Sequence, residues 1–87
     1  MSNYNFTKTN ELIVIVLQVV DNITNPTQSM KLKKADEMIE ATEYQIEEES
    51  DFHDEDWLID KQEFISYYEM YKKDLKKNSI LSIKTPN

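Results

Sequence analysis

Glycine is absent from all 87 residues. Tight turns with positive φ, phosphate-cradling loops and dinucleotide fingerprints lean on glycine, so nucleotide-binding enzymes of those types are excluded. Arginine is missing too, because all ten basic residues are lysines. No side chain therefore offers the bidentate guanidinium fork used on phosphates, and direct nucleic-acid binding loses support on both counts. With no cysteine, neither a disulfide framework nor a thiolate metal site adds stability, which fits a reducing compartment. Long apolar runs are also lacking. Leu12–Leu17 resumes at Val19–Val20 but is interrupted by Gln18 and closed by Asp21, short of the ~20 residues that a membrane helix needs. The first ten residues lack the charged-then-apolar order of a secretory signal. We expect a soluble, cytoplasmic protein without membrane contact. Asn22-Ile23-Thr24 matches a glycosylation acceptor in form, and without a secretion signal we read it as chance.

What the chain has is acid, unevenly placed. Residues 1–36 carry four lysines and three acids, a net +1. Residues 37–63 carry twelve acids and one lysine, a net −11, and residues 64–87 carry five lysines and two acids, a net +3. The middle third is thus more acidic than the whole molecule, whose net charge is −7. Such a concentration steers basic partners and repels nucleic acid. A solvated helix face plus an acidic loop that keeps a small protein soluble is the plainer account.

Eighty-seven residues make one domain, 1–87, with a modest core; residues 1–8 and 84–87 are expected to be flexible ends. Between Asn10 and Asn22 the β-branched content favours a strand. Yet Glu11, Gln18, Asp21 and Asn22 share one narrow sector at 100° per residue, and period-two alternation is missing. The spacing predicts a mostly buried helix. Asn25 is the expected N-cap of a second helix, with Pro26 at its first position and Gln28 completing a capping box. That helix runs to about Glu48 on a stripe of Leu32, Ala35, Ile39, Thr42 and Ile46, broadened by Met38. An acidic connector follows, with Ser50 or Asp51 as a cap. A third helix, from about Asp56 to Lys77, lines up Trp57, Phe64, Tyr68, Tyr71 and Leu75, with Ile65 widening the face. Together these predict an all-α fold, a small three-helix bundle. The alternative is α+β, with residues 12–17 and 80–83 paired as strands under two helices.

Asp36, Glu40, Glu43 and Glu47 are spaced 4-3-4 and stack along one helix face. Successive carboxylates step about 4.5–6 Å along the axis, sparser than the ~3.4 Å phosphate spacing of a DNA strand. The connector acids Glu48, Glu49, Asp51, Asp54, Glu55 and Asp56 would fill in the pattern. These ten residues are the candidate partner-binding set: a rod of negative charge that a basic nucleic-acid groove would bind by the electrostatics it uses on its substrate. In character this is similar to the small acidic phage and mobile-element proteins that block restriction or CRISPR nucleases.

The segment Asp54–Phe64 resembles the later two-thirds of an EF-hand calcium loop, with Asp54, Asp56, Asp60 and Glu63 in ligand positions. It departs from the pattern where Phe52 stands in place of the first aspartate and Trp57 in place of the bend glycine. We read it as an acid-rich helix start, and expect neither metal nor cofactor. His53, the one histidine, has no positioned nucleophile or metal partner in the sequence, and the aromatic face of the third helix suits core packing better than base stacking. Tyr44 and Tyr67 fall off the apolar stripes and suit a protein interface.

No catalytic residue is assigned and no enzyme activity is expected. The expected function is inhibition or regulation of a nucleic-acid-binding protein by a DNA-mimicking acidic surface, of the counter-defence type. The alternative is a non-mimic binder, such as an antitoxin, immunity protein or adaptor, using Leu58, Ile65, Tyr44, Tyr67 or Ile80–Ile83 as an apolar hot spot. The apolar content of the first helix also admits a homodimer.

Overall fold

Asn5 opens the first helix by accepting a hydrogen bond from the Lys8 amide at 3.0 Å, which satisfies one of the donors a helix start leaves unpaired. In the computed structural model, which describes residues 4–84 and side chains through Lys77, α1 spans Phe6–Ile15 and continues through a π turn, Val16–Val20. The helix therefore begins four residues before Asn10, and residues 6–8, expected in a loose arm, belong to it. Residues 1–3 and 85–87 lie outside the described range. Tyr4 and Phe6 pack against the core cluster, their rings lying 6.2 Å from Tyr67 and 5.3 Å from Tyr71.

In the π turn the Asp21 amide donates to the Val16 carbonyl at 3.3 Å, five residues back instead of four. A regular helix would set Val20 in line with Ile13, seven residues earlier; the wider turn swings it away. This corrects the expectation of a mostly buried helix. Ile13 and Leu17 are buried, but Leu12, Ile15, Val19 and Val20 are 56, 53, 71 and 69% exposed.

Asn22 follows with φ of 59°, the left-handed conformation that usually falls to glycine after a helix. In a chain without glycine, asparagine is the next residue that adopts it at low cost. The Ile23 amide then donates to the Leu17 carbonyl at 3.0 Å, closing the end of the helix.

The second helix, α2, spans Gln28–Glu49. Its cap is Thr27, whose hydroxyl accepts from the Met30 amide at 3.2 Å, and not Asn25. Thr27 is itself extended, with φ of −84° and ψ of 166°, so the helix starts after it and Pro26 lies outside. Gln28 instead reaches across, its side-chain amide donating to the Leu75 carbonyl. After a 3-10 turn at Ser50–Phe52, α3 spans Glu55–Lys84. Its cap is Asp54, which accepts from the Trp57 amide at 3.0 Å, and not Ser50 or Asp51. Residues 80–83 lie inside α3, so they form no strand, and none occurs among the described residues. The chain is an all-α three-helix bundle.

Its core is one cluster: Ile13, Leu17, Ala35, Ile39, Tyr68, Tyr71 and Leu75. The stripes predicted for α2 and α3 face it, with Leu32, Met38, Phe64 and Ile65 partly buried beside it. Tyr71 is fully buried, and its hydroxyl donates to the Asn10 side-chain oxygen at 2.8 Å; the Tyr4 hydroxyl donates to Asp74 at the same distance. Asp21 pairs with Lys34 at 2.9 Å. All these ties lie at one end of the α2–α3 hairpin. The other end, from Thr42 to Phe64, projects beyond α1. The radius of gyration, 14.9 Å, exceeds the about 12 Å of a compact chain this long, because the 30-residue α3 alone is about 45 Å long.

Candidate functional site: an acidic face and tip

The 3-4 spacing that turns Ala35, Ile39 and Thr42 inward sets Asp36, Glu40, Glu43 and Glu47 about a quarter-turn or more around the cylinder. All four are exposed, as are Glu48, Asp51, Asp54, Glu55 and Asp56, while Glu49 is half-buried. The ten predicted residues therefore occupy one face of α2 and the projecting tip.

They are not equivalent. Asp36 is paired with Lys72 of α3. That hydrogen bond, helped by the charges of Asp36, Glu69 and Glu40, raises the Lys72 pKa above its usual range, against a smaller opposing effect of burial. Glu49 lies 3.5 Å from His53, whose ring stacks on Trp57 at 4.2 Å and 11°. Asp54 caps α3, and Glu55 and Asp56 occupy its first turn, where the helix dipole favours carboxylates. These five have local reasons to be where they are.

Glu43, Glu47, Glu48 and Asp51 do not, and Glu40 has only the charge of Lys72 across the helix pair. No ion pair among the described residues involves them. Glu47 and Glu48 sit in the last turn of α2, where no basic residue stands and where the negative end of the dipole makes each carboxylate unfavourable by about 0.3–1 kcal/mol. Asp36 and Glu40, and Glu43 and Glu47, are like-charged pairs four residues apart, which oppose the helix further. Local stability would choose lysine at positions 47 and 48.

Phe52 was missed by sequence reasoning, lost in the acidic run. Its ring is 80% exposed at the tip, amid the carboxylates, and Tyr44 on the outer face of α2 is 66% exposed. Leu58, Ile65 and Tyr67 are half-buried, and Ile80–Ile83 lie beyond the described side chains. Between α2 and α3 near the tip, Thr42, Gln45, Trp57, Asp60, Lys61 and Phe64 line an open cleft of about 500 Å³. The Lys61 ammonium stands 5.6 Å from the centre of the Trp57 ring.

The segment that resembles a calcium loop is helical from Glu55 onward. Asp56, Asp60 and Glu63 are spread along the outside of a helix and do not wrap a common point. Among the described residues no group of three or more His, Cys, Asp or Glu is placed to hold a metal ion, and no helix is long and apolar enough to cross a membrane. Comparison with family models, curated proteins and solved structures matches none of them to this chain.

Proposed function

We propose that the protein binds, by its acidic face and tip, the basic nucleic-acid groove of a partner protein, and so inhibits or regulates that partner as a DNA mimic. The observation that carries this reading is the last turn of α2. Glu47 and Glu48 stand unpaired at the end of the helix that disfavours them, continuing the self-repelling line of Glu40 and Glu43. Residues that break a local stability rule without a local gain concentrate at functional sites.

Along α2, Glu40 to Glu48 spans about 12 Å, the length of three to four phosphate steps on a DNA strand. Asp51 extends the line into the 3-10 turn. Lysines and arginines of a phosphate-binding groove would meet carboxylates at comparable spacing. The protein acts by occupancy and carries out no chemistry of its own. Counter-defence against a restriction or CRISPR nuclease is the biological setting this mode of action suits.

The test is capture from host lysate by tagged wild-type protein and by a variant with Glu40, Glu43, Glu47 and Glu48 all changed to Gln. Glutamine removes charge without creating a polycation, and Asp54 is left alone because it caps α3. A nucleic-acid-binding protein retained by the wild type and lost by the variant is the expected result. A partner retained equally by both overturns the reading. A second reading, binding through an apolar hot spot with acids as a steering rim, is favoured by the exposure of Phe52 and Tyr44. Under that reading Phe52→Ala and Tyr44→Ala weaken capture more than the glutamine changes do.

A further inference from the structure

The outer side of α1 is the largest feature that the acidic face leaves unexplained. Leu12, Ile15, Val19 and Val20 are each more than half exposed. With Val16 at their edge, they form one continuous aliphatic stripe, because the π turn rotates Val19 and Val20 onto the side of Leu12 and Ile15. Four such side chains present on the order of 400 Å² of apolar surface, the scale at which patches on soluble proteins mark interaction sites. We propose that this stripe is a homodimer interface in which two copies of α1 pack antiparallel.

Charge selects the occupant. Residues 12–20 contain no charged side chain, so the stripe has nothing with which to attract a basic or acidic partner. Its occupant is an equally uncharged aliphatic ridge, and the chain supplies one in its second copy. α1 also packs where its neighbours are Tyr71, Asp74 and Lys34. From Lys34 the acidic turn at Glu47 is about 20 Å further along α2, so the strongly negative tips stay out of the contact.

The exposed charges on this side, Lys8 and Glu11, both lie at the N-terminal end of α1. Parallel pairing would set Lys8 against Lys8 and Glu11 against Glu11. Antiparallel pairing brings Lys8 to the C-terminal turn of the second copy, beside its Asp21 and its outward carbonyls, where a cation is favoured. Two stripes with their rims bury about 1,000 Å² in total, the lower bound for a specific interface. An interface of that size makes the dimer a weak one. Because each protomer carries −7, salt screens their repulsion and strengthens the dimer, opposite to its effect on binding to a basic partner.

Sedimentation equilibrium of the full chain between about 10 and 500 µM covers the range in which a weak dimer forms. The mass is expected to rise from 10.4 kDa towards twice that value. Val19→Lys should hold it at the monomer value with unchanged helical circular dichroism, and Phe52→Ser, at the far tip, should leave dimerisation intact. The absence of cysteine allows an independent arm. Ile15→Cys, near the two-fold axis, should cross-link to itself under mild oxidation, whereas Lys8→Cys should not. A single monomeric species at the highest concentration, or a dimer indifferent to Val19→Lys, overturns the proposal. Self-cross-linking at Lys8→Cys overturns the antiparallel pairing.

Discussion

Single residues carry unusual weight in a core of seven buried apolar side chains. Burial, and secondarily the neighbouring Tyr68, pushes the Tyr71 hydroxyl up to about 12 from an ordinary 10. Tyr4 is raised as well, by burial and then by its bond to Asp74. Ionisation is thus suppressed in the folded chain. The stability these hydroxyls contribute is complete below pH 10, and it drains away as pH climbs to about 12. Circular dichroism followed through an alkaline titration should show unfolding in that window. Tyr71→Phe, which cannot ionise, should move the transition to higher pH, at a cost of about 1 kcal/mol at neutral pH for the lost bond to Asn10. Asn22 offers a second residue-scale check. Asn22→Ala should destabilise by about 1 kcal/mol, because a Cβ is disfavoured at positive φ, and Asn22→Gly should be neutral or stabilising. Urea denaturation of the two variants measures both. Glycine's absence was plain in the sequence, but which asparagine would take the left-handed position was not. That choice depends on where the preceding helix ends, and the π turn sets the end.

At the scale of elements, α2 and α3 were legible because their apolar residues repeat at 3-4 spacing over many turns and face a common core. α1 was legible as a helix and misread as buried. A wheel drawn at 100° per residue goes out of phase within the π turn, which holds Val19 and Val20. Leu12 and Ile15, which precede it, are exposed because α1 turns that side away from the core. The caps were misread for a related reason: Asn25, Thr27, Ser50, Asp51 and Asp54 are all competent, and where each helix begins decides among them. The acidic stripe was fully visible in sequence. Which of its members have other duties was not, since Lys72 reaches Asp36 from a different helix. Taking the dipole argument at face value, Glu47→Gln and Glu48→Gln together should raise stability by about 0.5–2 kcal/mol. For a domain of this size that is a rise of several degrees in Tm. Thermal melts of the double variant check it. A gain in stability coupled to a loss of partner binding would separate a functional acid from an ornamental one.

The whole molecule has two unlike ends. The bundle end, where α1 packs, carries most of the lysines and the aliphatic stripe. The projecting end carries the carboxylates, with Phe52 among them. An elongated body of 54 × 32 × 18 Å lets one end enter a groove while the other remains outside, free to pair. Salt should therefore act on the two ends in opposite senses, weakening contact at the tip and strengthening self-association at α1. Sequence supplied the charge asymmetry. The projection of the hairpin beyond α1, which turns that asymmetry into a shape, follows from the contacts of Tyr4, Asn10 and Asp21, long-range ties that no local pattern announces.

The most direct test of the central claim is competition for the captured partner between this protein and duplex DNA. The account predicts mutually exclusive binding, with affinity for the protein falling at least about tenfold between roughly 50 and 200 mM salt. A ternary complex that holds both at once, with affinity flat across the same salt range, would contradict it.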